Sequence, residues 1–156
     1  MSSKPQPVFR TSRRIEFADT DMAGIVHFAN FFRFMEAAEV EFLRSRGLSV
    51  VMDWEGRKIS FPRVGASCDY LRPLHFEDVV DIVVGLKRLG RKSVTYEFEF
   101  LLGDEIVARG QLSSVCCLVS ASQEIESTPG CTLHRRISRN IRDEILIRGR
   151  IGRVRG

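Results

Sequence analysis

The sequence predicts an α+β protein in which one long apolar helix packs on an antiparallel sheet, and three observations carry that reading. From Asn30 to Arg46, Phe31, Met35, Ala38 and Phe42 recur at i, i+4, i+7 and i+11, a single apolar stripe at helical spacing. Val94, Tyr96, Phe98, Phe100 and Leu102 alternate with Ser93, Thr95, Glu97 and Glu99, the period-two pattern of a half-buried strand. Short turns at Gly90-Arg91 and Gly103-Asp104 link neighbouring runs of this kind, and the Gly-Asp pair is of the type favoured in two-residue hairpins. A striped helix and a one-sided sheet each need a partner for the apolar face, and the two satisfy one another.

In chain order, alternation predicts a first strand from Phe9 to Phe17, followed by a loop. The helix comes next, its polar remainder including Arg33, Glu36, Glu41 and Arg44, with Gly47 as a natural stop. Four strands follow, from Val64 to Tyr70, Val80 to Leu86, Val94 to Leu102 and Ile106 to Leu118, the last three forming a meander. Leu133, Ile137, Ile141 and Ile145 sit at fourfold spacing and predict a weaker final helix.

A chain of 156 residues is the size of one ordinary domain, read as a core of about residues 8–120 and a basic C-terminal extension of about 121–156. With 44% apolar and 28% charged residues the composition is that of a folded globular protein, which argues against disorder or a fibrous repeat. Residues 1–8 have no apolar stretch behind the lysine and prolines, and no run approaches the roughly 18 apolar residues of a membrane span. A cytoplasmic protein is therefore expected. Cys68, Cys116, Cys117 and Cys131 form no C-x-x-C pair and have no histidine spacing suited to zinc, so they read as small buried or half-buried residues and no metal is expected. The formal charge of +4 is concentrated beyond Leu133, where eight arginines face only Asp143 and Glu144. Such a tail can hold phosphates, an acidic surface or RNA, or can simply be a solvated end, and nucleic acid is not the expected partner.

The chemistry is concentrated in residues 17–43, FADTDMAGIVHFANFFRFMEAAEVEFL, where two acids and a glycine stand in a turn just ahead of the long helix. Free N–H groups at a helix start favour negative charge nearby, whether an anion or a developing oxyanion. Asp residues in turns also satisfy local backbone groups, so this pattern alone leaves a structural role open. A calcium loop does not fit, because the fifth position after Asp19 and Asp21 is Ala23 and the twelfth, where a bidentate Glu is required, is Asn30. His27 is either a general base or a structural residue beside the helix start.

The run Asp19-Thr20-Asp21, Gly24-Ile25-Val26, Ala29-Asn30-Phe31 and Glu36 resembles the signature of the 4-hydroxybenzoyl-CoA thioesterase-like family of hotdog proteins. The likeness continues through Pro62, Tyr70-Leu71-Arg72-Pro73-Leu74, Asp78 and Leu89-Gly90-Arg91-Lys92-Ser93, roughly residues 10–120. It implies a hotdog fold, a long helix wrapped by a curved antiparallel sheet, with active sites shared in a homodimer or homotetramer. It also implies cleavage of an acyl-CoA or aryl-CoA thioester to the free acid and CoA, with no cofactor or metal beyond the CoA of the substrate. Asp21 matches the second acid of the motif, which attacks the thioester carbonyl or activates water. Phe28 matches the residue whose backbone N–H polarises that carbonyl. Glu36 matches a helix carboxylate and is the second-choice acid. Gly24, His27 and Phe61 are expected at the substrate site. Arg91, Lys92 and Ser93 match a hairpin that meets the nucleotide end of CoA, where two cations suit phosphates; the other reading is an ordinary charged hairpin tip. Many relatives carry Tyr-His where this chain has His27-Phe28, which places the histidine one position earlier. Phe28, Phe31, Phe32 and Phe61 could line an acyl pocket or belong to the core. The alternative to hydrolysis is a non-catalytic acyl-CoA-binding or RNA-binding oligomer on the same fold.

Overall fold

The computed structural model describes residues 7–54, 56–119 and 125–127. Helix α1 runs Asn30–Ser45, and its inward stripe of Phe31, Phe34, Met35, Ala38 and Phe42 is buried, as the spacing predicts. Arg46 donates its N–H to Leu43 O, and Gly47, at φ +68°, ends the helix. The strands are β1 (Pro7–Arg14), β2 (Val51–Trp54), β3 (Arg57–Ser60), β4 (Arg63–Tyr70), β5 (Val79–Leu89), β6 (Ser93–Leu102), β7 (Glu105–Val115), β8 (Cys117–Val119) and β9 (Ile125–Ser127).

Five of them form a curved antiparallel sheet in the order β1-β5-β6-β7-β4, and α1 packs on it, touching β1, β4, β5 and β7. This is the layered α+β arrangement the sequence predicts and the hotdog fold that the resemblance implies. Val94, Tyr96, Phe98 and Phe100 all face the helix and are buried. Cross-strand register sets large residues against small ones: Phe98 opposes Gly110 and Phe100 opposes Ala108. The gap so made takes the helix, because a Cβ on Gly110 would lie 2.2 Å from Met35 Sδ.

Four corrections follow from the structure. The first strand stops at Arg14, and residues Phe17–Asp19 form a 3-10 turn, since Ile15 and Asp19 turn inward and are buried. The last meander strand breaks at Cys116, whose N–H leaves the ladder to donate to Lys92 O at 2.7 Å. Its continuation, β8, joins a second sheet of order β2-β3-β8-β9. Strands β2, β3 and β9 were not predicted, being only three or four residues long, too short for alternation to register. Cys116 and Cys117 are buried and Cys68 half-buried, as expected of small apolar residues. The Leu133–Ile145 helix, Cys131 and the basic tail lie outside the described residues. Among the described residues no helix is long and apolar enough to cross a membrane.

Candidate active site

The segment between β1 and α1 is built as a small hairpin. Asp21 N–H donates to Ile25 O at 2.9 Å, Gly24 N–H returns to Asp21 O at 3.0 Å, and Gly24 closes the turn at φ +76°. Val26 N–H then donates to Leu74 O at 2.8 Å, which fastens this hairpin to the stretch that follows β4. Between the two lies a cleft of about 510 Å³. Asp21, Ile25, Val26 and Phe28 form one wall, residues 70–74 another, and Phe31 reaches it from α1. The lining is mainly apolar, with Asp21 and Arg72 as its charged members, and Arg72 is paired to Glu105 at 2.6 Å.

The two acids of the motif part company here. Asp19 is buried; its Oδ2 accepts the Glu16 N–H at 2.9 Å and its Oδ1 stands 3.6 Å from Arg13. Its carbonyl accepts from His27 N–H at 3.0 Å and from Asn30 Nδ2 at 2.8 Å, tying the turn to the helix start. Asp21 is half-buried in the cleft wall, and its Oδ1 accepts the Ala23 N–H at 2.8 Å. That single bond orients the carboxylate, and Oδ2 has no protein partner among the described residues.

Phe28 precedes the helix, and its ring is exposed beside the cleft. Asn30 and Phe31 N–H groups close onto His27 O and Phe28 O at 2.9 and 3.4 Å, while the Phe28 N–H donates to no acceptor among the described residues. Phe28 and Asp21 line the same cleft, and a carbonyl substrate needs a nucleophile or base near its carbon and a donor for its oxygen.

The other expected site residues are placed as follows. Glu36 is exposed on the outer side of α1, in a different groove with Arg13, Arg33 and Arg44, and is not brought to Asp21 within one chain. His27 is exposed and stacks on the Phe28 ring, with centroids 4.5 Å apart. Its Nδ1 accepts the Ala29 N–H at 3.2 Å, so it serves the helix start. Phe61 and Phe32 pack against the core. The Gly90–Ser93 turn is closed by Gly90 N–H to Ser93 O at 2.8 Å, with Arg91 and Lys92 exposed and Ser93 half-buried. It sits at the Leu89 end of the 11-residue strand β5, whereas the segment that carries Asp21 follows β1 from the opposite, Val79 end. Tyr70 and the residues after it line the cleft but were not expected there. The signal for them was the break of alternation at Tyr70-Leu71-Arg72-Pro73, which ends β4 beside Phe28.

Among the described residues no cysteine lines the cleft, and burial pushes the Cys68 thiol up to about 11. A thiolate nucleophile is thereby disfavoured at neutral pH.

Residues 23–114 match the thioesterase superfamily. A 1,4-dihydroxy-2-naphthoyl-CoA hydrolase of Synechococcus sp. (strain CC9311) is 30% identical over 128 residues, 78% of this chain and 80% of that protein. The solved structure of a gentisyl-coenzyme A thioesterase superposes with a TM-score of 0.64 at 28% identity, over 78% of this chain and 96% of the other. A 4-hydroxybenzoyl-CoA thioesterase shares the fold at 19% identity, with a TM-score of 0.69 over 82% of this chain and 96% of the other.

Proposed function

Because the chain belongs to the thioesterase superfamily and has its hotdog fold, we propose that it hydrolyses an acyl-CoA or aryl-CoA thioester to the free acid and CoA, with Asp21 as the reacting carboxylate. The observation that carries this is the pairing in one cleft wall of an Asp21 oxygen and a Phe28 N–H, each without a protein partner among the described residues. The thioester carbonyl lies between them, its oxygen on the Phe28 N–H, where charge develops as the carbon becomes tetrahedral. Asp21 then acts by one of two routes. As nucleophile it adds to the carbonyl carbon, the C–S bond breaks, CoA leaves as thiolate, and water hydrolyses the mixed anhydride. As base it takes a proton from water, the hydroxide adds, and the same bond breaks. An aryl acyl group is favoured by the rings of Phe28, Phe31 and Tyr70, and the acyl groups named in the two nearer relatives are aromatic.

The position of Arg91 and Lys92 fits CoA only in an assembly. Strand β4 is a sheet edge with every residue but Cys68 exposed. Pairing two β4 edges about a twofold axis reverses strand direction and brings the partner subunit's hairpin to the Asp21 end, where its cations meet the phosphates of CoA.

The test is release of free thiol from a panel of acyl- and aryl-CoA esters by wild type and by Asp21→Asn. Asn keeps the size and the turn but has no carboxylate, and activity is expected to fall about 100-fold to 10,000-fold with folding unchanged. Near-normal turnover by freshly purified Asp21→Asn would refute the role and move it to Glu36; hydrolysis of no ester by the wild type would favour a binding protein. Single turnover in labelled water separates the two routes, since only the anhydride route can place solvent oxygen in the Asp21 carboxylate.

A further inference from the structure

We propose that Tyr70 is a positioning residue, whose hydroxyl holds the backbone at Phe28 so that the Phe28 N–H faces the substrate carbonyl. The proposal rests on the reading of that N–H as the carbonyl donor. Two peptide planes meet at Phe28. The plane that carries its N–H is held through His27 O, which accepts the Asn30 N–H at 2.9 Å. The next plane carries Phe28 O, whose bond within the chain's own turn, from Phe31 N–H, is long at 3.4 Å. Tyr70 Oη supplies a shorter bond to that oxygen, at 3.1 Å.

The same plane carries the Ala29 N–H, which donates to His27 Nδ1 at 3.2 Å. The residue capping α1 is Ala29, which has no side chain able to bond the first turn, so Tyr70 is the one side chain among the described residues that bonds Phe28 O. Tyr70 is well placed for the task. It is the last residue of β4, registered opposite Ala108, and its ring stands edge-on to the buried Phe31 ring at 5.1 Å and 69°. A hydroxyl on a strand therefore holds a loop peptide from across the cleft, 42 residues away in sequence. An oxyanion donor works only if it is held in direction before the charge develops, so slack at Phe28 lowers the rate more than it weakens binding.

Tyr70→Phe removes the hydroxyl and keeps the ring on Phe31. It is measured against wild type by two readouts. The first is kcat and KM for benzoyl-CoA or the best ester of the panel. The second is the carbonyl carbon-13 shift of a bound ketone analogue of benzoyl-CoA, in which a methylene replaces sulfur; this shift moves downfield as the carbonyl is polarised. The expected result is a kcat lower by about 10-fold with KM within about twofold, and a bound-ketone shift at least halved. An unchanged shift and kcat in Tyr70→Phe would reduce Tyr70 to a wall of the cleft and overturn the proposal, as would a rise in KM alone. If the wild type polarises the ketone but cleaves no thioester, the hydrolase reading fails while Tyr70 is still judged by the shift. If the wild type does not polarise the ketone, Phe28 is not the donor and the role of Tyr70 falls with it.

Discussion

Asp19 has both carboxylate oxygens directed at the chain around it, toward the Glu16 N–H and Arg13, whereas Asp21 has one oxygen turned to Ala23 and the other left for the cleft. The same substitution should therefore read differently two residues apart. Asp19→Asn replaces one charged acceptor oxygen by a donor in a buried site, and a loss of about 1–3 kcal/mol is expected, seen as a lower melting temperature with turnover of the folded fraction retained. Asp21→Asn should leave the melting temperature near wild type and remove turnover. Cys68 supplies a pH test at the same scale. Its burial raises the thiol from its ordinary 9.0 to about 11, so the folded protein keeps a proton that the unfolded chain gives up. That contribution to stability is present below pH 9.0 and is lost as pH rises through about 11. Iodoacetamide should accordingly label native Cys68 roughly 100-fold more slowly at pH 8 than a free cysteine, by mass spectrometry, and Cys68→Ser should keep full activity.

At the scale of elements, the site depends on how closely α1 approaches the sheet. Phe98 and Phe100 of β6 supply bulk, and Gly110 and Ala108 opposite them on β7 supply the room that Met35 fills. Gly110→Ala should be destabilising by about 1–3 kcal/mol through overpacking, measured by denaturant unfolding. Combined with Met35→Ala, which removes the obstructing sulfur, the two effects should be clearly less than additive. The break at Cys116 belongs to the same scale. Leaving the β6–β7 ladder there lets β8 pair with β3, where Ile59 and Cys117 are both buried.

For the whole molecule, the exposed β4 edge and the separation of the Gly90–Ser93 turn from Asp21 make one joint prediction. Light scattering should find a dimer or a dimer of dimers at micromolar concentration; a fully active monomer would contradict the shared site. Arg91→Glu combined with Lys92→Glu should raise KM for a CoA ester by about 10-fold or more, yet leave hydrolysis of a short thioester lacking the nucleotide within about twofold. Equal losses on both substrates would assign the hairpin to folding alone.

The α+β class, the span of α1, the inward faces of β6 and α1 and the acid-bearing turn were all legible in the sequence, because periodicity and turn chemistry are local properties of the chain. So was the presence of two motif acids, although spacing alone did not say how they differ. Tertiary structure decided that: Asp19 turns inward toward Arg13, and Asp21 shares a cleft with residues 70–74, which lie 49 or more positions away in sequence. It decided as well that α1 carries Glu36 on its outer side and that Tyr70 reaches Phe28 O. Those facts follow from strand order and sheet register, which bring distant residues together and leave no trace in the local pattern of either segment.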